Sequence, residues 1–129
     1  MADGEKKQRV LLIEDDVFMG DLLAQAVAHA GFDIMNAKTS DEGVKVFQEW
    51  HPDLILLDLI LPDQNGFEAL RQIRRMPGGL DTKVIIVSNL SRETQWDEAK
   101  RLGVLDYLIK SNFSLDEIIQ KVKEVLNTP

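Results

Sequence analysis

A few polar residues stand where polarity is costly. Asp58 closes the apolar run Leu54 to Leu57 and opens a turn containing Pro62 and Gly66. A carboxylate beside so much hydrocarbon demands a cation, a hydrogen-bond network or a reaction. Glu14, Asp15 and Asp16 follow the run Val10 to Ile13, Ser88 follows Val84 to Val87, and Lys110 follows a weaker run, Val104 to Ile109. Clustered carboxylates repel one another, and a hard divalent cation such as Mg2+ (or Mn2+), held through oxygen, relieves that repulsion. Such a cation also binds phosphoryl oxygens, so the set suits phosphoryl transfer, where positioning and charge neutralisation do most of the catalytic work. Asp58 would be the nucleophile toward phosphorus, Lys110 a partner for phosphoryl or carboxylate oxygens, and Ser88 a hydrogen-bond donor to the phosphoryl group. Each residue also has a plain role. The acids can cap a helix, Asp58 can open an Asx turn, Ser88 can cap, and Lys110 can sit exposed at a strand end.

The chemistry requires elements that bring these residues together. The three strong apolar runs are rich in Leu, Ile and Val without alternation, as strands buried on both faces are. A fifth candidate strand, Phe32 to Ala37, is more polar and fits an edge. Between the runs lie helical periods. Met19, Leu22, Leu23, Ala26, Val27 and Ala30 form one stripe, closed by Gly31 as a C-terminal cap, with His29 complementing the helix end. Thr39 to Glu42 is a capping-box pattern opening a helix through Val44, Phe47 and Trp50, which stops near Pro52, with His51 in a loop. Phe67, Leu70, Ile73 and Met76 mark a third helix, broken at Pro77-Gly78-Gly79. Ser91 is expected to cap a fourth through Leu102, whose thin stripe of Trp96, Ala99 and Leu102 predicts the least firmly packed helix. The last begins with the box Ser114 to Glu117, stapled by Phe113 and Ile118.

The order is βα five times over, which predicts an α/β domain with right-handed crossovers, a parallel sheet and helices on both faces. In such sheets ligands sit at the C-terminal strand ends. All the polar residues of interest fall at that end, which disfavours a separate plain explanation for each. Pro62 and Gly66 turn the loop after Asp58 sharply, keeping the space above that strand end open.

Composition narrows the classes. At 129 residues the chain has the length of one domain, taken as residues 8–127 after a polar tail at 1–7. The formal net charge of −7 disfavours a broad nucleic-acid surface. The basic cluster Arg71, Arg74 and Arg75 is expected on a solvated helix face. No cysteine is present, which rules out disulfides, thiolate nucleophiles and cysteine metal sites, and two histidines are too few for most zinc sites. The polar start MADGEKKQRV lacks the apolar stretch of a secretory signal, and no run reaches bilayer length, so the expected location is the cytoplasm.

The motifs LLIEDD, DLILPDQNG, IIVSN and DYLIK, in this order, resemble the receiver domain of two-component response regulators, over roughly Arg9 to Leu126. The resemblance implies a flavodoxin-like (βα)5 fold with strand order 2-1-3-4-5. It implies that Asp58 accepts a phosphoryl group from the phosphohistidine of a sensor histidine kinase or phosphotransfer protein. Asp15 and Asp58 would bind Mg2+ directly, Glu14 would hold a metal-bound water, and the Ile60 backbone carbonyl would complete the protein ligands. The triple acid run permits a shift by one, to Asp16, and the spacing to Asp58 favours Asp15. Ser88 matches the family's switch hydroxyl, Lys110 its lysine and Tyr107 its switch aromatic. Phosphorylation would draw Ser88 toward the phosphoryl oxygens, let Tyr107 turn inward, and reshape the surface of the fourth helix, fifth strand and fifth helix for a downstream partner or a homodimer. Ile60 and Leu90 stand at the positions that tune hydrolysis of the acyl phosphate. Both are apolar and neither can orient water, which predicts a long-lived phosphorylated state.

Two positions depart from the family pattern. Asn89 stands where Ala or Gly is usual, and Ser111 follows Lys110 where a proline, commonly cis, is usual; a cis bond before a residue other than proline costs about 3 kcal/mol. Among rival readings, a Mg2+-dependent phosphatase working through an aspartyl phosphate needs an Asp-x-Asp pair that Asp58-Leu59-Ile60 lacks. A flavodoxin-like electron carrier needs a phosphate loop after the first strand that is absent. A scaffold without the chemistry has no reason to keep the acids, Ser88 and Lys110.

Overall fold

Leucine, isoleucine and valine fill the strands because both faces of the sheet are covered. The structure, a computed structural model, describes residues 7–127. Of the tail expected at 1–7, all but Lys7 lies outside the described residues. The elements are β1 (Arg9–Ile13), α1 (Val17–His29), β2 (Asp33–Ala37), α2 (Ser40–Trp50), β3 (Leu54–Leu57), α3 (Gly66–Arg74), β4 (Lys83–Ser88), α4 (Arg92–Arg101), β5 (Asp106–Ile109), a 3-10 turn (Lys110–Asn112) and α5 (Leu115–Val125). The strands are all parallel, in the order β2-β1-β3-β4-β5. This is the parallel, twice-covered sheet that the βα order predicts, in the flavodoxin-like strand order that the family resemblance implies, with the polar β2 at one edge.

Strand alternation divides the core. Leu11, Ile13, Ile55, Leu57, Val84, Ile86 and Tyr107 face one side, where Phe47, Phe67, Leu70 and Ala99 pack on them. Val10, Leu12, Leu54, Leu56, Ile85, Val87 and Leu108 face the other, against Leu23, Val27, Ile118 and Val122. Burying one such side chain is worth about 1.5–3 kcal/mol, so neither face can be left open.

Helix starts follow their caps. Ser114 and Glu117 form the complete capping box of α5. At α2, Thr39 accepts from the Glu42 N–H, while Glu42 reaches back one residue further, to the Lys38 N–H. At α4, Ser91 occupies the cap position without a side-chain capping bond, and Ala99 is the only residue of the helix that is buried. The expectations of a loosely packed fourth helix and of Ser91 at its cap position hold, but the Ser91 side chain makes no capping bond.

The solvated face expected for Arg71, Arg74 and Arg75 holds for Arg75 and is overturned for Arg74. Arg74 turns its guanidinium inward and donates to the carbonyls of Gly79, Thr82 and Leu102 at 2.7–2.9 Å. Leu102 is the C-cap of α4, so the cation also lies at the negative end of that helix. Burial lowers the Arg74 pKa from its ordinary value. Arg71 joins α3 to α4 through Glu98 at 2.5 Å and also pairs with Glu68 of its own helix at 2.5 Å. Arg75 is exposed.

Candidate functional site

Register brings the polar residues together. Ile13 pairs with Leu57, and the Asp58 N–H donates to the Ile13 carbonyl at 3.0 Å, which sets Glu14 beside Asp58 at the sheet's C-terminal rim. Ser88 pairs with Ile109, so Lys110 begins one step beyond Ser88 on the neighbouring strand.

The Lys110 ammonium contacts the carboxylates of both Asp58, at 2.8 Å, and Glu14. Asp58 and Glu14 are buried, at 5% and 1% exposure. Asp58 also accepts from the Ile60 N–H at 3.1 Å, and Glu14 from the Asp16 N–H at 3.1 Å. Burial raises the Glu14 pKa, and its hydrogen bonds from Lys110 and the Asp16 amide offset this only in part. Burial works to lower the Lys110 pKa, but hydrogen bonds to Asp58 and Glu14 outweigh it and the net shift is upward. The lysine is therefore held as a cation.

Asp15 is exposed and completes a triad. Single carboxylate oxygens of Glu14, Asp15 and Asp58 all lie within 4.8 Å of one another. Three carboxylates against one ammonium leave two negative charges when all are ionised, the charge that a divalent cation neutralises. The donor set is oxygen only, which suits Mg2+ or Mn2+. Asp16 points elsewhere: its carboxylate caps α1 by accepting from the Met19 N–H at 3.1 Å. The geometry therefore groups Asp15, not Asp16, with Glu14 and Asp58, while Asp16 takes the capping role.

Around this rim, Ser88 is fully buried, and its hydroxyl oxygen accepts from the Leu90 N–H at 3.4 Å. Tyr107, at 2% exposure, donates its hydroxyl to the Leu90 carbonyl at 2.9 Å. Burial raises its pKa, keeping it a phenol. Tyr107 faces inward in this conformation. Ile60 is 54% exposed. Every peptide bond among the described residues is trans, that between Lys110 and Ser111 included.

Some supporting residues had no sequence signal. Asp63, in the loop after Asp58, accepts from the Ser40 and Asp41 N–H groups at 2.9 and 3.0 Å and from the Gln64 N–H at 3.1 Å. It thereby ties this loop to the N-terminus of α2. Gly66 folds back beneath Asp58, with its N–H on the Leu59 carbonyl at 2.8 Å. A Cβ there would lie 2.4 Å from the Asp58 carbonyl oxygen. The sequence showed Gly66 as a turn residue; this close approach is what requires it.

Comparison with known proteins agrees with this geometry. The family model of the response regulator receiver domain matches residues 10–123. The chain is 26% identical over 119 residues to the chemotaxis protein CheY of Thermotoga maritima, covering 92% of this chain and 97% of that protein. It is 31% identical over 118 residues to the DNA-binding dual master transcriptional regulator RpaA of a Synechocystis strain, covering 92% of this chain and 48% of the regulator. The chain thus spans about half the length of several curated relatives it matches. Among solved structures, the non-phosphorylated HemR receiver domain of Leptospira biflexa superposes with a TM-score of 0.86 at 27% identity, covering 95% of this chain and 97% of that one. With the strand order, the acid triad and the family match in agreement, this chain belongs to the response regulator receiver domain family.

Proposed function

We propose that this receiver domain, taken as residues 8–127, accepts a phosphoryl group on Asp58 and relays it as a change of surface. The observation that carries this reading is the convergence of Glu14, Asp15, Asp58 and Lys110 at one rim. An Asp58 carboxylate oxygen forms the new O–P bond while the P–N bond of the donor's phosphohistidine breaks, and the displaced histidine nitrogen keeps that bond's electron pair. Lys110 pairs with the charge that arrives on the acceptor. Asp15, Asp58 and the Ile60 carbonyl would hold the divalent cation, with Glu14 reaching it through water. When bound, the cation supplies neutralisation of the phosphoryl oxygens. Ser88 donates its hydroxyl to the phosphoryl group. Because Leu90 is fastened to both Ser88 and Tyr107, a shift at Ser88 is felt by the loop that opens α4.

The donor chemistry is a phosphohistidine on a sensor kinase or phosphotransfer protein in the cytoplasm. The responding face is α4, β5 and α5, read by a downstream protein or by a second copy of the chain. The domain is a signalling module rather than an enzyme with a separate substrate, and catalyses only its own phosphorylation and dephosphorylation. Among the described residues no helix is long and apolar enough to cross a membrane.

The test is incubation with acetyl phosphate and Mg2+. Wild-type protein is expected to gain the mass of one phosphoryl group on Asp58, and Asp58→Ala none. No gain by the wild type would favour a scaffold that has kept the fold and lost the reaction. Turnover of a free phosphoester would favour the phosphatase.

A further inference from the structure

The two departures from the family pattern meet in space. The Ser111 N–H donates to the Asn89 side-chain oxygen at 3.1 Å. Ser88 and Ile109 are the last paired residues of β4 and β5, so this bond lies just past the ladder's end, with a side-chain carbonyl in place of a backbone one. It joins the residue after the candidate hydroxyl to the residue after the candidate lysine.

The chemistry explains why the two departures belong together. A proline at 111 has no N–H and holds its own φ, so it offers nothing to an Asn at 89. With Ser111 in a trans linkage, an N–H appears at the start of the turn Lys110–Asn112, where the first donors of a helical turn have no partner within it. Asn89 supplies the acceptor. Lys110 opens that turn, and its ammonium must reach both Asp58 and Glu14.

From this geometry we infer that Asn89 is a positioning residue for Lys110: its side-chain oxygen, bonded to the Ser111 N–H, holds the backbone from which the lysine reaches the phosphoacceptor. The inference rests on the reading of Asp58 as phosphoacceptor. Asn89 touches no reacting atom; it acts through Ser111. The neighbouring Leu90 is held independently, by Ser88 and Tyr107, so the loop after β4 is expected to stay in place when the Asn89–Ser111 bond alone is removed.

The experiment compares wild type, Asn89→Ala, Ser111→Pro and the double variant, with Asn89→Asp as the variant that keeps an acceptor. Two quantities are read: hydrogen exchange at the Ser111 amide, and the rate of mass gain on Asp58 from acetyl phosphate with Mg2+. Asn89→Ala is expected to speed Ser111 exchange and slow phosphorylation, each by about fivefold, the size of one net hydrogen bond. Asn89→Asp is expected to keep the amide protected. In the Ser111→Pro background, Asn89→Ala is expected to change the rate no further, which a merely steric role of Asn89 would not produce. If Ser111→Pro fails to fold, the exchange and rate of Asn89→Ala still decide. A rate equal to or above wild type overturns the positioning role, whatever the exchange shows, and so does an equal slowing in both backgrounds. Absence of any mass gain in the wild type overturns the phosphoacceptor reading instead.

Discussion

Asp15 and Asp16 are adjacent and chemically identical, yet one joins the acid triad and the other caps a helix. The difference is set by chain direction at the end of β1. Asp16 has the extended backbone of an N-cap and spends its carboxylate on the Met19 amide, while Asp15 precedes the helix and is free to face the rim. The run EDD alone could not separate them, because both the cap and the ligand set ask for a carboxylate; only the spacing to Asp58 favoured Asp15. Glu14 was legible as part of an acidic pair, but its burial and its contact with Lys110 were not. They depend on β3 bringing Asp58 alongside. Ile60 and Leu90 carry a prediction at this scale. With two apolar side chains at the tuning positions, the acyl phosphate is expected to persist for minutes or longer in the Mg2+-loaded protein. Ile60→Asn, which can orient a water, is expected to speed its loss by about tenfold, below the usual yield of a well-placed general base. Loss of the phosphoryl mass followed by time-resolved mass spectrometry checks both, and hydrolysis of the wild type within seconds would contradict the first.

The helices were the most legible elements, since caps and stripes are local. Ser114 and Glu117 close their box as the sequence reads, and Gly31 ends α1 with φ at 102°. What sequence could not supply were contacts between segments distant along the chain. Arg74 looked like one of three surface cations; its carbonyl partners Thr82 and Leu102 come from two later loops. Asp63 gave no signal of its own, and its partners Ser40 and Asp41 belong to α2. Because it holds the loop between β3 and α3 against that helix, Asp63 carries the second prediction. Its slight burial, which opposes ionisation, is outweighed by the N–H groups of Ser40 and Asp41 and of its own loop, and its pKa lies below the ordinary 3.8. A depressed carboxyl stabilises the fold fully above the ordinary value and loses that contribution as pH falls through the lower, folded value. Carboxyl titration by NMR should therefore find Asp63 with a midpoint under 3.8, and Asp63→Ala, which removes the acceptor of the Ser40 and Asp41 N–H groups, should lower stability at pH 7 by about 1 kcal/mol, as loss of a helix cap does. An Asp63 midpoint at or above the ordinary value would contradict this.

For the molecule as a whole, the fold class and the rim that gathers the polar residues were readable from uninterrupted apolar runs, which mean a sheet covered twice with ligands at one end, while the strand order came from the family resemblance. The same architecture leaves two unneutralised negative charges at that end when the acids are ionised. A ligand that binds only the folded state stabilises it by mass action, so Mg2+ at about 100 times its dissociation constant should add about 2.7 kcal/mol to the unfolding free energy. Asp15→Asn should lose most of that gain while keeping its own fold. Urea unfolding with and without the cation measures it, and an equal gain in both proteins would place the cation elsewhere.

Gly66 gives the domain an off-switch one methyl group wide. Added to that glycine, the methyl would press on the carbonyl of the very aspartate expected to carry the phosphoryl group. Gly66→Ala should therefore leave every charge in place and still silence labelling of Asp58 by acetyl phosphate, separating the shape of the pocket from its electrostatics. Labelling at the wild-type rate would show that the loop can step aside.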